Sequence, residues 1–302
     1  MYDGLLLIDK QPDCTSHDVV QGVRRLLKQR KVGHCGTLDP GATGLLVATV
    51  GRATRLTRFF IRAPKVYEGV IQFGVATDTY DRFGTVTSEA PVADLYAADL
   101  AVAIDRFVGT YTQPAPPFSA KKFKGVKYYE MARRGEEVPE ARKEITVFEF
   151  TGTGPIEDGR LCFRLSCSSG TYVRTLAHDL GQALGCGGHL ADLRRLQVGP
   201  FKIHQAVRLE QLQQQLEGDG ELQQGWLSFD DIPLPFAEVA ADERQEQRIS
   251  HGQTVMFRQL DCSEGDWVKL VNRRRQLIAV GTVTERIGHS RVGIVQPRIV
   301  FA

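Results

Sequence analysis

The residues best suited to chemistry lie in one short, glycine-rich loop. Four glycines and a proline surround a single carboxylate, Asp39, in the segment Gly33–Gly44, GHCGTLDPGATG. Glycines at this density allow tight turns and let a substrate approach the backbone. An aspartate before a proline also suits a structural Asx turn, so spacing alone leaves both roles open for Asp39. A phosphate-binding loop is not indicated, because no Gly-Lys-Ser/Thr sequence follows and no helix clearly begins on the glycines.

The cysteines and histidines do not show the spacing of a metal site. Six cysteines are present, and none forms a C-x-x-C pair. The nearest candidate for zinc is Cys186-Gly187-Gly188-His189, which has no second ligand pair. We therefore expect no metal, and reduced, mostly buried thiols.

Length and composition are those of an ordinary globular protein. The chain has 302 residues, of which 42% are hydrophobic and 25% charged, enough for one large domain and a small appendage. No apolar run reaches membrane-spanning length, and the N-terminus lacks the pattern of a signal peptide. We expect a cytoplasmic protein. No self-complementary apolar stripe is visible, so we expect a monomer.

Basic residues are concentrated, although the net charge is only +2. They cluster within residues 24–31, 52–62 and 121–143. A single cluster of this kind is usually a solvated face. Two of them flank the glycine-rich loop, which favours a polyanionic partner such as a nucleic acid.

The elements around the loop must position Asp39. A helix with a hydroxyl cap is predicted from Thr15, and a buried strand over Leu45–Val50. Further strands are predicted over Lys65–Phe73 and Leu161–Cys167, and helices over Asp94–Val108 and Thr171–Leu184. Strands and helices interleave without a regular βαβ rhythm. This favours an α+β fold with a central mixed or antiparallel sheet.

Two segments stand apart from this order. Residues 112–143 are rich in prolines and basic residues and are predicted to form an inserted surface arm. The C-terminal part contains predicted strands at Trp267–Leu270, Leu277–Val283 and Val292–Phe301, which indicate a small β-rich domain. We therefore divide the chain into 1–230 and 231–302.

Several separate blocks, in order along the chain, resemble the TruB family of bacterial tRNA pseudouridine-55 synthases. They are Asp9-Lys10 with Thr15–Val20, Gly33–Leu46, Lys65–Tyr67 with Thr77–Asp81, Pro116–Lys121 with Tyr129 and Arg133, and Cys167–Leu176. Two positions depart from the family pattern: Gln11 stands in place of a usual proline, and Gly41 in place of a larger residue. The resemblance implies a pseudouridine synthase catalytic domain followed by a PUA-like RNA-binding domain.

The resemblance also implies roles for three catalytic residues. Asp39 would be the nucleophile that attacks either ribose C1′ or pyrimidine C6 of a uridine. Arg174 would hold its carboxylate through parallel hydrogen bonds. Tyr67 would stack on the flipped base, and its hydroxyl is a candidate to accept the proton from C5. Without the resemblance, an ordinary half-buried strand tyrosine is an equally good interpretation of Tyr67.

Substrate contacts follow in the same way. The residues expected to bind RNA are His34, Tyr172, Lys10, Lys65, Lys121 and Arg133. The arm at 112–143 and the C-terminal domain would grip the T-arm of tRNA through its phosphates. The reaction implied is an isomerisation that needs no cofactor, no metal and no obligate protein partner.

Three alternatives remain beside this prediction. A guided or ribosomal-RNA pseudouridine synthase would use the same aspartate. An RNA-binding or RNA-folding protein would keep the basic surface, but the joint presence of Asp39, Tyr67 and Arg174 argues against lost activity. A nucleotide-binding enzyme with a glycine-rich loop is the third, and a nucleotide-affinity test would identify it.

Overall fold

The computed structural model describes residues 1–92, 97–116, 122–123, 126–128, 134, 141–218, 220–287 and 291–301. Its strands, in chain order, are β1 (Gly4–Lys10), β2 (Val32–His34), β3 (Thr43–Val50), β4 (Lys65–Phe73), β5 (Val75–Thr77), β6 (Val86–Glu89), β7 (Gly109–Pro114), β8 (Lys122–Phe123), β9 (Val126–Lys127), β10 (Arg142–Gly152), β11 (Arg160–Cys167), β12 (Gly188–Val198), β13 (Phe201–Lys202), β14 (Trp226–Ser228), β15 (Ala237–Ala240), β16 (Val255–Phe257), β17 (Trp267–Val271), β18 (Leu277–Arg286) and β19 (Gly293–Val300). Its α-helices are α1 (Ser16–Leu26), α2 (Thr57–Phe60), α3 (Ala97–Asp105), α4 (Val173–Ala183), α5 (Leu209–Glu217) and α6 (Glu243–Ser250), and short 3₁₀ turns span Gly51–Leu56 and Ile203–Gln205.

One large sheet carries most of the first two thirds of the chain. Its strands run in the order β14-β1-β3-β12-β4-β11-β10-β7, with β2 on β3 and β13 on β12. Neighbours are antiparallel except β12 and β3, which are parallel. The predicted α+β fold with a mixed sheet is therefore confirmed.

The strand and helix that flank the glycine-rich loop form for the reasons predicted. Thr15 caps α1: its side chain accepts from the Asp18 amide, and the Asp18 carboxylate accepts from the Thr15 amide in return. The apolar stripe of α1 is buried through Val19, Val20 and Val23. Nearly every residue of β3 is buried, as a strand between two neighbours and beneath helices requires.

The arm predicted over 112–143 lies largely outside the described residues, and its two ends pair with each other. Thr112 pairs with Glu144, and Pro114 pairs with Arg142, as β7 and β10 form an antiparallel ladder. These positions therefore belong to the main sheet. Pro114 lies on β7, the last strand of the sheet, where proline is tolerated.

A second sheet of five strands, β15-β17-β18-β19-β16, forms the C-terminal domain. Its own core is apolar and includes Ile249, Leu270 and Val295. A shared cluster joins it to the main sheet, with Phe60 on one side and Ile299 on the other. The proposed division at residue 230 falls between β14 of the first sheet and β15 of the second. Among the described residues, no helix is long and apolar enough to cross a membrane.

Three arginines of the segment 52–62 lie at this junction. Arg52 Nη1 donates to the Phe301 carbonyl at 3.2 Å, and the guanidinium carbon of Arg55 lies 5.3 Å from the Phe301 ring centre. Arg58 lies 5.7 Å from Trp267. This part of the predicted polyanion surface therefore packs against the C-terminal domain, a contact that only the fold reveals.

Candidate active site

The loop that carries Asp39 connects β2 to β3. The Ala42 amide donates to the Asp39 carbonyl at 3.1 Å, so the main chain closes a turn over residues 39–42. At the end of the loop, Gly44 has a φ of +98° and an added Cβ would lie 2.3 Å from the Arg195 carbonyl oxygen. Only glycine fits there. The turn is thus made by the backbone, and the Asp39 carboxylate is left to make other contacts.

Two buried polar side chains hold the loop from one side. Lys10 Nζ donates to the carbonyls of Pro40 at 2.9 Å and Ala42 at 2.6 Å. Ser16 Oγ bonds both the amide and the carbonyl of Leu38, at 2.8 and 3.1 Å. Lys10 and Ser16 are each only 1% exposed. Burial lowers the pKa of Lys10, and the nearby acidic groups oppose that shift.

A buried arginine holds the loop from the other side. Arg195, on β12, is 1% exposed. Its guanidinium donates to the carbonyls of Leu45 at 2.7 Å and Gly36 at 3.0 Å, with a longer contact to Thr37 at 3.4 Å. The five donors of a guanidinium suit a set of carbonyls that converge from one loop. Arg195 therefore ties both ends of the Asp39 loop to the centre of the sheet.

Asp39 meets a guanidinium that it shares with a second carboxylate. Arg174, in the first turn of α4, lies with Nε 2.9 Å from Asp39 Oδ2 and Nη1 3.3 Å from Asp81 Oδ2. Its Nη1 also donates to the Thr79 carbonyl at 3.1 Å. The Arg174 side chain is 9% exposed, whereas that of Asp39 is 47% exposed. A fixed, buried cation thus orients a carboxylate that remains open to a ligand.

The open side of Asp39 faces a cavity of about 820 Å³. Residues of the Asp39 loop, the β5–β6 connection and β12 line it, and Arg174 contributes to its wall. This volume lies within the range of small-molecule and cofactor sites, so it accommodates a nucleotide.

Tyr67 lies beside this arrangement on β4, opposite Arg195 in the strand register. Its ring is 8% exposed, so only a small part of it is open to a ligand. Burial raises the pKa of Tyr67; the Arg195 charge and a hydrogen bond to it act in the opposite direction, and the Asp39 charge adds to the rise. A phenol with a raised pKa stays protonated at neutral pH. Tyr67 is not among the side chains that line the described part of the cavity.

His34 and Tyr172 do not line the described part of the cavity. His34 ends β2 and is half-buried. Burial and then the Arg195 charge lower the pKa of His34, which favours the neutral ring. Tyr172 immediately precedes α4, and its backbone is held by Gln113 through bonds of 2.8 and 3.1 Å. Its half-buried ring is not among the side chains that line the described part of the cavity.

The lysines expected to bind substrate are placed differently. Lys10 is used by the loop, as described above. Lys65 is 5% exposed and donates to the carbonyls of Ile61 at 2.7 Å and Ala63 at 2.6 Å. Burial lowers the pKa of Lys65 to about 8. These contacts favour a structural role for both lysines over phosphate binding. Lys121 and Arg133 lie outside the described residues.

Sequence reasoning did not assign three residues that shape the site: Ser16, Asp81 and Arg195. Ser16 and Asp81 do stand within the family-like blocks, so the signal was present but carried no role. Arg195 stands alone, and only strand pairing reveals its contacts. All six cysteines are free. The described residues contain no group of three His, Cys, Asp or Glu side chains arranged to hold a metal ion.

Comparison with known proteins gives two family matches. Residues 24–173 match the TruB family pseudouridylate synthase (N terminal domain), and residues 174–231 match the tRNA pseudouridylate synthase B C-terminal domain. The tRNA pseudouridine synthase B of Solibacter usitatus is 43% identical over 93% of this chain and 96% of its own length. That of Geobacter sulfurreducens is 46% identical over 91% of this chain and 90% of its own length. The crystal structure of a Cbf5-Nop10-Gar1 complex shares the fold, with a TM-score of 0.75 and 23% identity over 99% of this chain and 85% of that chain.

Proposed function

The chain belongs to the TruB family of pseudouridylate synthases, and on that premise we propose that it isomerises uridine 55 in the T-loop of tRNA to pseudouridine. The observation that carries the proposal is the half-exposed Asp39 carboxylate, held by a buried Arg174 at the mouth of a nucleotide-sized cavity. The names of the relatives support tRNA as the substrate.

The chemistry exchanges one bond of ribose C1′ for another. Attack of the Asp39 carboxylate on C1′ breaks the N1–C1′ bond, and the electron pair leaves with uracil as an anion. The uracil turns, its C5 attacks C1′, and the carboxylate departs. C5 then gives up its proton and N1 gains one, so the product is an isomer of the substrate. Attack on pyrimidine C6 is a second route, and it uses the same carboxylate.

The other residues prepare this step. A uridine in a folded loop has to be flipped out of its stack to reach Asp39. Arg174 aims the carboxylate and balances its charge, and Arg195, Lys10 and Ser16 keep the loop from shifting. We expect Tyr67 to stack on the flipped base and His34 to act on the conformation of the RNA around it.

The basic arm and the C-terminal domain would hold the T-arm through phosphate contacts, with binding that weakens steeply as salt is added. Shape recognition of the T-loop would supply most of the specificity. We propose that the chain acts as a monomer in the cytoplasm, without an obligate protein partner. Activity of the purified chain alone on a T-arm RNA tests this part.

The main test is tritium release from a T-arm RNA labelled at uridine C5, with the wild type and Asp39→Asn compared at equal bound RNA. We expect release by the wild type alone. Tight binding by both proteins with release by neither would overturn the catalytic proposal and support the RNA-binding alternative.

A further inference from the structure

A large aromatic side chain stands exposed at the mouth of the Asp39 cavity. Phe83 lies in the connection between β5 and β6 and lines the same cavity as Asp39 and Arg174. It is 63% exposed, so most of its side chain is open to a ligand. None of the roles given above uses this residue.

The turn that presents Phe83 is rigidly built. Asp81 Oδ1 accepts from the Phe83 amide at 3.0 Å and from Thr79 Oγ1 at 2.7 Å. Asp78 Oδ1 accepts from the Thr85 amide at 2.8 Å. The other oxygen of Asp81 contacts Arg174. The same carboxylate therefore fixes both the aromatic turn and the cation that holds Asp39.

The Phe83 ring rests against Gly41, where any larger side chain would have to displace it. A Cβ added to Gly41 would lie 2.2 Å from Phe83 Cε2 and 2.6 Å from Cζ. The missing side chain at 41 thus makes room for the ring, two residues from Asp39.

An arginine completes the surface. The guanidinium carbon of Arg82 lies 4.9 Å from the Phe83 ring centre. Arg82 is itself held by Asp192 through a contact of 2.6 Å. A cation stacked on an exposed ring, close to a nucleotide-sized cavity, is the arrangement that binds unpaired bases together with their phosphates.

We propose that Phe83 and Arg82 form a platform on which an unpaired nucleobase next to the target uridine stacks. The ring supplies the stacking surface, and the guanidinium lies within reach of the backbone of the same nucleotide. This inference rests on the proposed function, because it takes the substrate to be a folded RNA with a flipped uridine. It adds a base-binding site outside the pocket that receives the uridine itself.

The first experiment measures RNA binding. A fluorescent stem-loop with the T-loop sequence is titrated into Phe83→Ala, Phe83→Trp and Phe148→Ala, all in an Asp39→Asn background that prevents turnover. Phe148, on β10, is the matched control because it is 55% exposed and does not line the described cavity. We expect Phe83→Ala to weaken binding about 5- to 150-fold, with Phe83→Trp and Phe148→Ala within about twofold of the parent.

The second experiment identifies the base. Each loop nucleotide near the target is replaced in turn by an abasic one. At one position, the abasic change should raise the Kd of the parent by the same factor as the Phe83→Ala substitution does. In the Phe83→Ala variant, the same abasic change should leave the Kd unchanged. Equal abasic penalties in both proteins, or equal binding by Phe83→Ala and Phe148→Ala, would overturn the platform. An unchanged Kd for RNA would favour an apolar protein surface as the partner of Phe83.

The third experiment tests the contact with Gly41. Gly41→Ala must displace the ring, so it should weaken RNA binding in the parent and have little further effect in Phe83→Ala. Additive effects of the two substitutions would contradict the geometry proposed.

Tritium release separates this inference from the proposed function. If the wild type releases tritium and the Phe83→Ala variant binds RNA like the parent, the platform is contradicted and the proposed activity stands. Phe83-dependent binding of the stem-loop without release by the wild type would keep the platform and remove the proposed activity.

Discussion

Arg174 contacts two carboxylates at once, and its position between them determines where the Asp39 side chain points. A guanidinium fixed on one side by Asp81 and the Thr79 carbonyl presents its Nε to Asp39 in a defined direction. Loss of Asp81 would remove one of the contacts that set the direction of the Arg174 side chain.

Asp81→Asn tests this arrangement at the level of one residue. The change removes a charge-assisted contact, worth about 1.5–3 kcal/mol. We expect the single-turnover rate to fall about 10- to 100-fold, with RNA binding changed only a few-fold. The control is Asp192→Asn, which alters a carboxylate of the same cavity that pairs with Arg82 and Arg160 instead. Equal rates for both variants would contradict a role for Asp81 in positioning Arg174.

A carboxylate on the helix that carries Arg174 has a strongly perturbed environment. Burial raises the pKa of Asp179, on α4, to about 6. Its charge in turn adds to the burial that raises the pKa of Tyr80. Between about pH 4 and pH 6 the folded protein therefore holds a proton that the unfolded chain has lost. The free energy of unfolding that Asp179 contributes falls as the pH rises through this window and stays low above it.

Asp179→Asn should remove this pH dependence. At pH 7.5 we expect the free energy of unfolding of the variant to exceed that of the wild type by on the order of 1–2 kcal/mol, after allowance for solvent screening. At pH 5 we expect a smaller difference. Urea unfolding at the two pH values measures both differences. Asp99→Asn, at an exposed position on α3, serves as the control and should show no such change. A gain that is equal at both pH values would contradict the raised pKa.

At the scale of elements, β12 is what makes the Asp39 loop rigid. It lies between β3 and β4 in the main sheet and carries two adjacent arginines, which make different contacts. Arg194 forms a partly exposed pair with Asp9 through contacts of 3.0 and 2.9 Å. Arg195 is buried and donates to loop carbonyls.

Arg195→Met and Arg194→Met form a matched pair. Arg195→Met leaves the carbonyls of Gly36 and Leu45 unpaired at about 1–3 kcal/mol each, partly offset by removal of a buried charge. We expect a loss of about 2–4 kcal/mol in stability and a fall of at least about 100-fold in single-turnover rate, measured where the variant is fully folded. Arg194→Met should cost about 1 kcal/mol or less. A folded Arg195→Met with an unchanged rate would show that the loop keeps its shape without this residue.

At the scale of the whole molecule, aromatic side chains pack between the two sheets, and arginine side chains lie against several of these rings. Phe59 contacts Phe236 at 4.9 Å and Trp267 at 5.1 Å between ring centres, so residues from both sides of the junction share one cluster. This fixes the C-terminal domain relative to the Asp39 cavity. RNA that spans both would therefore meet a preformed surface.

Phe59→Ala tests this junction. The ring is half-buried, so we expect a loss of roughly 2 kcal/mol, about half of the cost for a fully buried phenylalanine. Faster proteolysis between residues 229 and 237 and weaker T-arm binding should accompany it. Phe148→Ala, at an exposed ring far from this cluster in the chain, should change none of the three. Weaker RNA binding without faster proteolysis would point to a direct RNA contact of Phe59 instead.

Features that depend on short segments of the chain were predictable from the sequence. The capping residues of α1, the buried strand β3, the mixed α+β fold and the pairing of Asp39 with Arg174 were all predicted from segments that are short or closely resemble a known family. Local geometry and motif similarity depend on neighbouring residues, so they survive without a structure.

Contacts between distant segments were not predictable from the sequence and are visible only in the tertiary structure. Arg195 reaches the Asp39 loop because β12 inserts beside β3, and Arg174 is shared with Asp81 because α4 and the β5–β6 connection meet at one cavity. The burial of Lys10 and Lys65, the use of three arginines at the domain junction and the seat of Phe83 on Gly41 follow from the same packing. Some of these contacts join segments that lie far apart in the chain, and others depend on which face of an element is covered. The type of a residue and of its neighbours specifies neither the distant partner nor the covered face.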